Sequence, residues 1–246
     1  RLTDVTGVQT CALPISTLCE YSEGVGRILM PLLPELEHSL KGGEYFHADE
    51  TSWEVARVIN GKKLYRTGWA WVLLGQGGTV IVRYTESRKK KSFRELIGDY
   101  QGVVVCDGED HYDHYAQTSH GAVQLSRCNA HARRYFEKAL KSHKTEAALV
   151  LRVYRILYRR EEHIRDKPPD ERLRWRRRSR ILMEYLQKLS QQWLLNKSIL
   201  PKSPLGKACR YFVKFYADLV RFCSNGVLPI DRSEERRVGK ECRSRW

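Results

Sequence analysis

The spacing of hydrophobic and polar positions divides the chain into a helical start, a strand-rich centre and a helical second half. In residues 20–40, apolar side chains recur at helical spacing. Pro31 and Pro34 are expected to start, kink or divide that helix, since proline interrupts the hydrogen-bond pattern. From Glu44 onward, strand-like runs alternate with the turn signals NGK and GQGG. This pattern predicts three consecutive antiparallel strands.

The segment after these strands extends the predicted sheet. Residues 91–96 indicate a short helix, and the β-branched run GVVVCD indicates a buried strand that ends on Asp107. A further short strand, AVQLSRC, and a helix, AHARRYFEKALK, follow. The order of three strands, a helix, two strands and a helix is typical of a mixed α/β fold, in which helices pack on the faces of a sheet.

The second half of the chain is predicted to be helical and very basic. Residues 144–195 have an apolar stripe that DKPPD interrupts at 166–170, which predicts a helical hairpin. The run RLRWRRRSR at 172–180 places six arginines in nine positions. Such a run is either a solvated helix face or a set of phosphate contacts. One last helix is expected over residues 206–223, with its aromatic stripe in the core.

The net charge of +15 indicates an anionic partner. Lysine and arginine gain affinity for nucleic acids by releasing counterions from phosphates, so DNA is the first partner to consider. Simple solubility is the alternative explanation. The longest apolar stretch, Ile28 to Leu36, is broken by two prolines. It is also shorter than the ~20 residues of a membrane-spanning helix, so no membrane partner is expected.

The seven cysteines have no CxxC pair and no regular spacing. A disulfide framework is therefore not predicted, and a reducing cytoplasm is the expected location. A zinc site made of Cys106, Cys128 and His131 is the alternative use of these residues. It is disfavoured because these ligands lack the close paired spacing of structural zinc modules.

Two aspartates are the candidates for chemistry. Asp49 lies in the strand-like run HADET, and Asp107 ends the buried run VVVCD. A carboxylate in an apolar strand either lies in water at a strand end or is held by a cation, because burying it alone is costly. If the first and fourth strands are neighbours, the two carboxylates could share a divalent metal suited to phosphoryl transfer. The alternative is that Asp107 and Gly108 begin a turn while Asp49 caps a helix or pairs with an arginine.

Both ends of the sequence resemble translated sequencing adapters. The similar segments are VTGVQTCALPI near the start and RSEERRVGKECRSRW at the end. Residues 1–16 and 232–246 are therefore expected to be assembly artefacts that pack poorly, with 17–231 as a genuine but truncated fragment. Excluding the ends lowers the net charge to +12, because the tail carries six basic and three acidic residues and the head one of each.

Five sequence blocks together resemble the insertion-sequence 66 family of bacterial transposases. They are HADET at 47–51, VVVCDG with Tyr112 at 103–112, CNAHARRYF at 128–136, SPLGKACRY at 203–211 and NGVLPID at 225–231. The resemblance implies a ribonuclease-H-like mixed sheet flanked by helices, with a helical insertion. It also implies a catalytic Asp, Asp, Glu triad whose first two members are Asp49 and Asp107, which would bind two ions of Mg²⁺ or Mn²⁺.

The third member of that triad is expected just after NGVLPID, in a segment of the form D-N-N-x-A-E-R. Here the chain continues from Asp231 as RSEERR, so Arg236 stands at the position of the catalytic Glu. Glu109 is a second departure, because the family commonly has an aromatic residue there. We therefore predict that the chain as written binds DNA but does not transpose it.

The resemblance also implies a division of the chain into functional parts. These are a helical lead-in at 17–43, a catalytic core at 44–143, a basic helical insertion at 144–200, and the final core helix at 201–231. His131, Arg133 and Arg134 would contact DNA phosphates from the helix after the fifth strand. A surface helix with His131 in its first turn is the alternative for these three residues.

The expected activity is metal-dependent cleavage of transposon ends and their transfer into target DNA, by a homo-oligomer at the nucleoid in the bacterial cytoplasm. Two other functions stay open. One is a non-catalytic DNA-binding remnant, whose basic helices would give salt-sensitive binding without sequence preference. The other is a different ribonuclease-H-like nuclease, which would cut DNA without strand transfer.

Overall fold

The described part of the chain begins with two helices that are separated at Pro31 and Pro34. The computed structural model describes residues 14–59, 62–196 and 199–232. The two helices are α1 (Ile15–Leu29) and α2 (Leu33–Lys41), with a 3-10 turn at Met30–Leu32 between them. The predicted division at Pro31 and Pro34 is confirmed, since both prolines lie in the first turn of a new segment. α1 buries none of its side chains, whereas α2 buries Leu40.

A five-stranded mixed sheet forms the centre of the molecule. Its strands are β1 (Tyr45–Ile59), β2 (Lys62–Gly75), β3 (Val80–Thr85), β4 (Gly102–Cys106) and β5 (Val123–Arg127). Their spatial order is β3-β2-β1-β4-β5. The first three are antiparallel neighbours, and β4 and β5 run parallel to β1. The three predicted antiparallel strands are thus confirmed, while the turn predicted at NGK falls on residues 60 and 61, outside the described part.

Helices cover both faces of the sheet. They are α3 (Lys90–Ile97), α4 (Asp110–Thr118), α5 (Asn129–Ala139), α6 (Lys144–His163), α7 (Pro169–Leu195), α8 (Pro204–Lys214), α9 (Tyr216–Leu219) and a 3-10 turn at Arg221–Ser224. On one face, α2, α3 and α4 share a core with Phe46, Trp71 and Phe93. On the other, α5 to α9 build a second core that Tyr45 and Val103 of the sheet contact. The predicted mixed α/β architecture is confirmed.

Two helical predictions are wrong. The predicted order omits α4, because DHYDHYAQT has no Leu, Ile, Val or Met, and its buried face consists of His111, Tyr112 and Tyr115. The single helix predicted over 206–223 is broken at Phe215, whose φ of −105° and ψ of 15° leave the helical region. The break turns the chain toward the sheet, where Arg221 Nε donates to the carbonyl oxygen of Leu125 at 2.6 Å.

The helical hairpin predicted over 144–195 is confirmed as α6 and α7. Its arginine run divides by burial. The exposed members are Arg174, Arg177, Arg178 and Arg180. Arg176, in contrast, is 0% exposed. It donates to both carboxylate oxygens of Glu161, at 3.0 and 2.5 Å, so this arginine is part of the core and has no surface to offer to phosphate.

The cysteines in the described residues are free and, apart from Cys19, buried. Burial raises the pKa of the Cys106 thiol to about 12, so it stays protonated at neutral pH. The alternative zinc site is not formed, since no cluster of His, Cys, Asp and Glu side chains within the described ranges could hold a metal ion. Among the described helices, none has the length and apolar character needed to cross a bilayer.

Candidate active site

Asp49 and Asp107 lie just beyond the point where the parallel pairing of β1 with β4 ends, Asp49 within β1 and Asp107 directly after β4. The β1 to β4 register ends with His47 opposite Val105, and each aspartate lies two residues further along its chain. Because side chains alternate across a strand, Asp49 shares the face of His47, and Asp107 follows β4 on the face of Val105. Neighbouring strands are about 4.8 Å apart, so this register brings the two carboxylates side by side.

A guanidinium group lies against this pair. Arg232 Nη1 donates to Asp49 Oδ1 at 2.8 Å and to the carbonyl oxygen of Ala48 at 2.5 Å. The Arg232 side chain is 5% exposed, whereas that of Asp49 is 42% exposed. Burial raises the pKa of the Asp107 carboxyl, the charge of Arg232 opposes that rise, and the charge of Asp49 adds to it. The two aspartates and the arginine therefore form one electrostatic unit.

For Arg232 the prediction of poor packing is wrong, since this residue is buried and paired. It stands where the resemblance expects the first Asn of D-N-N-x-A-E-R, so neither its charge nor its contact has a counterpart in that pattern. Residues 1–13 and 233–246, with Arg236 among them, lie outside the described residues. At the other end, Ile15 lies in α1 and is 80% exposed.

In this arrangement the residues present do not fit a divalent cation. One oxygen of Asp49 already accepts a hydrogen bond from Arg232, and a guanidinium beside both carboxylates repels a second cation. The contacts of the two aspartates match the alternative interpretation, in which Asp107 begins a turn and Asp49 pairs with an arginine. The Glu109 N–H donates to Asp107 Oδ1 at 3.2 Å, which makes Asp107 the start of a turn, while Asp49 pairs with an arginine.

Arg127, the last residue of β5, fixes the backbone beside Asp107. Its fully buried guanidinium donates to the Asp107 carbonyl oxygen and to the Asp113 carboxylate. It also lies 4.6 Å from the centre of the Phe215 ring. The sequence signal for this role is weak, since the only unusual feature is a charged residue at the end of the apolar run AVQLSRC.

A third acidic residue, Asp231, directly precedes Arg232 in the chain. Tyr158 donates its hydroxyl to Asp231 Oδ2 at 2.7 Å. Burial lowers the pKa of His47 to about 4, with Arg232 lowering it further and Asp231 opposing the shift. His47 is therefore neutral at pH 7, and among the described residues its Nδ1 has no hydrogen-bond partner. His47 does not orient Asp49 by a hydrogen bond within the described part of the chain.

Asn129 ties the first turn of α5 to the segment that carries Arg232. Its Nδ2 donates to the carbonyl oxygens of Leu219 and Ile230, at 3.0 and 3.2 Å. Tyr154 donates to its Oδ1 at 3.3 Å, and the backbone N–H of Asn129 donates to Ile230 as well. The position of Arg232 thus depends on a side chain more than one hundred residues earlier.

The predicted DNA contacts also lie on α5. Arg134 Nη2 is 2.8 Å from His131 Nε2, so these two side chains hold each other. Arg133 lies 5.5 Å from the ring centre of Tyr158 and 3.6 Å from the Glu137 carboxylate. Its side chain is still 43% exposed, which leaves room for a phosphate. The role of these three residues toward DNA stays a prediction.

Glu50 lies on the opposite face of β1 from Asp49. Its side chain is 2% exposed, accepts a hydrogen bond from the Tyr112 hydroxyl at 2.6 Å and pairs with Arg88. Burial raises the pKa of Glu50, and the hydrogen bonds from Tyr112 and Arg88 oppose that rise. Arg88 also pairs with Glu109 at 3.0 Å. Glu109 stands where the family commonly has an aromatic residue, and this ion pair gives its carboxylate a partner.

The sheet and its acidic pair define an α/β protein with a polar centre where the parallel pairing of β1 and β4 ends. The chain belongs to the Transposase IS66 family, whose family model matches residues 1–237. This confirms the resemblance inferred from the sequence blocks. The matched range includes residues 1–16 and 232–237, which the adapter interpretation assigns to artefacts, so that interpretation stays a prediction.

One curated relative is similar over part of the chain. It is an uncharacterized protein, y4jD, from Sinorhizobium fredii, with 27% identity over 154 residues. The match covers 60% of this chain and 30% of the relative. The chain therefore spans less than a third of the length of the relative it matches.

Proposed function

We propose that this chain is a DNA-binding transposase core in which Asp49 and Asp107 form the acidic pair of the strand-cleavage centre. The observation that carries the proposal is the placement of both carboxylates two residues beyond the last pair of the parallel strands β1 and β4. Membership of the transposase family supports it. The mixed sheet with helices on both faces supports the ribonuclease-H-like fold that the resemblance implies.

The proposed reaction class is in-line displacement at phosphorus, which cuts an element end and joins it to target DNA. Mg²⁺ or Mn²⁺, the ions that the resemblance implies, would require both carboxylates to be free of Arg232. With Arg232 in place, we propose that the chain binds DNA without cutting it.

The residues around the pair have defined roles in this proposal. Arg127 holds the backbone at Asp107, and neutral His47 adds no charge to the centre at pH 7. Arg232 compensates one of the two negative charges, so a DNA phosphate meets less repulsion at the centre than it would beside two free carboxylates. This favours binding of intact DNA over chemistry.

DNA is the proposed partner, both as transposon end and as target. The net charge of +15 supports this, since each Lys or Arg that neutralises a phosphate releases a counterion. Affinity for duplex DNA should therefore fall linearly with salt on logarithmic axes. Assembly as a homo-oligomer and a nucleoid location in the cytoplasm stay predictions.

The test compares this chain with one whose residues after Asp231 are changed to Asn-Asn-x-Ala-Glu-Arg. Both should bind a transposon-end duplex, but with Mg²⁺ or Mn²⁺ only the changed chain should cut it. Asp107→Asn in the changed chain should abolish that cleavage while leaving DNA binding in place. Equal cleavage by the two chains would contradict the assignment of the centre.

A non-catalytic DNA-binding role is the second candidate. The contact of Arg232 with Asp49 favours it, because the contact leaves the acidic pair without a place for a cation. Binding without cleavage by both chains in the same experiment would support this role. Cleavage without joining to target DNA would support the third alternative, a nuclease that does not transpose.

A further inference from the structure

β1 and β2 continue far beyond the rest of the sheet as a two-stranded ribbon, which comprises residues 53–59 and 62–68. The last pair of β1 with β4 is at His47, and the last pair of β2 with β3 is at Trp69. Beyond these points, no other described strand pairs with the ribbon. At about 3.4 Å per residue, the ribbon extends ~20 Å past the sheet.

The ribbon exposes aromatic and aliphatic side chains to solvent. Trp53 is 59% exposed, Tyr65 68% and Leu64 46%. An isolated two-stranded ribbon is at best marginally stable in water, and exposed large apolar groups on such an element indicate a surface that binds a partner. The chemistry of that partner follows from the charges.

Basic residues dominate the ribbon. Its sequence contains Arg57, Lys62, Lys63 and Arg66 against the single acid Glu54. The described cations Lys62 and Arg66 are exposed, and neither forms a salt bridge within the described residues. A protein partner would have to be strongly acidic to match this surface, whereas the phosphates of DNA match it directly.

The cations lie on the same strand face as Asp49. The register between β1 and β2 is unbroken from Phe46 to Ile59, and it places Arg66 opposite Val55. Val55 lies six residues after Asp49, an even number, so the two share a face, and Lys62 shares the face of Arg66 for the same reason. Glu54, the acid of the ribbon, faces the other side.

Two aromatic residues occupy the interval between Asp49 and the cations. Trp53 lies on the same face, opposite Gly68. The ring of Tyr84, which is 46% exposed, lies over Gly68, where any side chain would collide with it. A single face therefore presents, in order, a carboxylate, two aromatic rings and two cations. The two cations at its far end match the phosphate backbone of DNA.

We propose that the ribbon is a duplex-DNA arm that holds the DNA leading away from the aspartate pair. A two-stranded ribbon fits the major groove, whose width is ~12 Å. Arg66 would contact the duplex ~20 Å from Asp49, about six base pairs along at ~3.4 Å per pair. This inference rests on the proposed DNA-binding function and adds the surface that performs it.

The test measures binding of a fluorescein-labelled 30-base-pair duplex by fluorescence anisotropy over a range of KCl concentrations. The full chain is compared with the double variant Lys62→Ala/Arg66→Ala. The slope of log affinity against log salt should become shallower by about 1.8 in the variant, at ~0.9 per lost phosphate contact. The matched control is Lys91→Ala/Arg94→Ala, which removes the same two residue types from α3 on the other face of the sheet and should leave the slope unchanged.

The outcomes separate this inference from the function on which it rests. Failure of the unaltered chain to bind any duplex would overturn the DNA-binding function itself. If the ribbon variant binds DNA with the same salt slope as the unaltered chain, only the arm is overturned. The same holds if the variant differs from the unaltered chain in sedimenting mass but not in DNA affinity. If the variant unfolds, photo-crosslinking of the unaltered chain to bromodeoxyuridine-substituted duplex decides. Crosslinks within 53–68 support the arm, and crosslinks confined elsewhere overturn it.

Discussion

Asp49 is held by a cation that belongs to its own chain. The 2.8 Å contact with Arg232 satisfies one carboxylate oxygen without any ion from solution. A buried arginine is stable only beside an anion, since an unpaired charge in the protein interior is costly. Each residue thus compensates the other, and a metal ion at Asp49 would have to displace a group that is covalently part of the protein.

Replacing Arg232 by asparagine should open the acidic pair to divalent cations. The change removes a positive charge a few Å from the site, and charge repulsion at that distance is worth a few kcal/mol at a protein surface. We expect Arg232→Asn to bind Mn²⁺ at least about tenfold more tightly than the unaltered chain, by titration of the free Mn²⁺ signal in electron paramagnetic resonance.

The control for this gain in Mn²⁺ affinity is the double variant Arg232→Asn/Asp49→Asn. In this variant the gain should disappear. A second control, Arg221→Asn, removes a guanidinium that reaches β5 away from the pair and should leave Mn²⁺ affinity unchanged. Unaltered affinity in Arg232→Asn itself would show that the guanidinium is not what opposes the cation.

His47 should make the fold sensitive to mild acid. Its folded-state pKa of about 4 lies below the usual value of 6.5, so on acidification the unfolded state takes up the proton first. The free energy of unfolding should therefore fall between pH 6.5 and 4, by up to about 3 kcal/mol for this residue alone. The raised pKa values of Glu50 and Asp107 act in the opposite direction.

Comparison with His47→Gln isolates the contribution of the histidine, because the carboxyl groups stay present in both proteins. Urea unfolding at pH 7 and at pH 4.5 should show a smaller loss of stability in the variant than in the unaltered chain. Equal losses would mean that His47 does not titrate differently in the folded and unfolded states.

At the scale of elements, one buried arginine links α7 to α6 and to the segment that follows α9. Arg176 pairs with Glu161 of α6 and donates to the carbonyl oxygens of Phe222 and Asn225, at 3.2 and 2.6 Å. Arg176→Ala leaves Glu161 buried without its partner, so we expect a loss of about 3–5 kcal/mol in chemical unfolding. Arg177→Ala, an exposed neighbour on the same helix, should cost less than about 0.5 kcal/mol.

Periodicity predicts an element when one face of it is aliphatic and fails when the buried face is polar or aromatic. β4 and α3 follow from their apolar spacing in the sequence. α4 does not, because its buried residues are His111, Tyr112 and Tyr115, which also fit a solvated loop. The break of the last helix at Phe215 has no glycine or proline to signal it, since tertiary contacts of the following residues determine where the helix ends.

The acidic pair is likewise only partly predictable from local sequence patterns. Its two aspartates can be found from the strand-like runs that contain them, because a carboxylate in an apolar strand is costly without a partner. The partners of those aspartates cannot be found in this way. Arg127 and Arg232 reach the site through tertiary contacts, across 20 residues to Asp107 and 183 residues to Asp49. No local pattern records a contact at such a distance along the chain.

At the scale of the whole molecule, Asn129 couples the middle of the described chain to its last residues. Asn129→Ala removes the side-chain donor to the Leu219 and Ile230 carbonyl oxygens and the acceptor of the Tyr154 hydroxyl, whereas the backbone N–H at position 129 still donates to Ile230. We expect a loss of about 1–3 kcal/mol in thermal or chemical unfolding. Since Ile230 lies two residues before Arg232, the variant should also bind Mn²⁺ more tightly than the unaltered chain and less tightly than Arg232→Asn.

The exposed polar residue Gln101 provides the comparison, because Gln101→Ala should change neither stability nor Mn²⁺ affinity. A destabilised Asn129→Ala with unchanged Mn²⁺ affinity would show that the anchor at Ile230 supports the fold without positioning the guanidinium.

The long reach of Arg232 also sets an order of events during synthesis. The described strands of the sheet are complete once residue 127 has been made, whereas the guanidinium that closes the pair arrives with residue 232. At ~5–20 residues per second, translating the intervening stretch takes roughly 5–20 s. A nascent chain whose sheet forms before residue 232 is made would expose an open acidic pair for those seconds, and any cation bound there would have to leave before Arg232 pairs with Asp49.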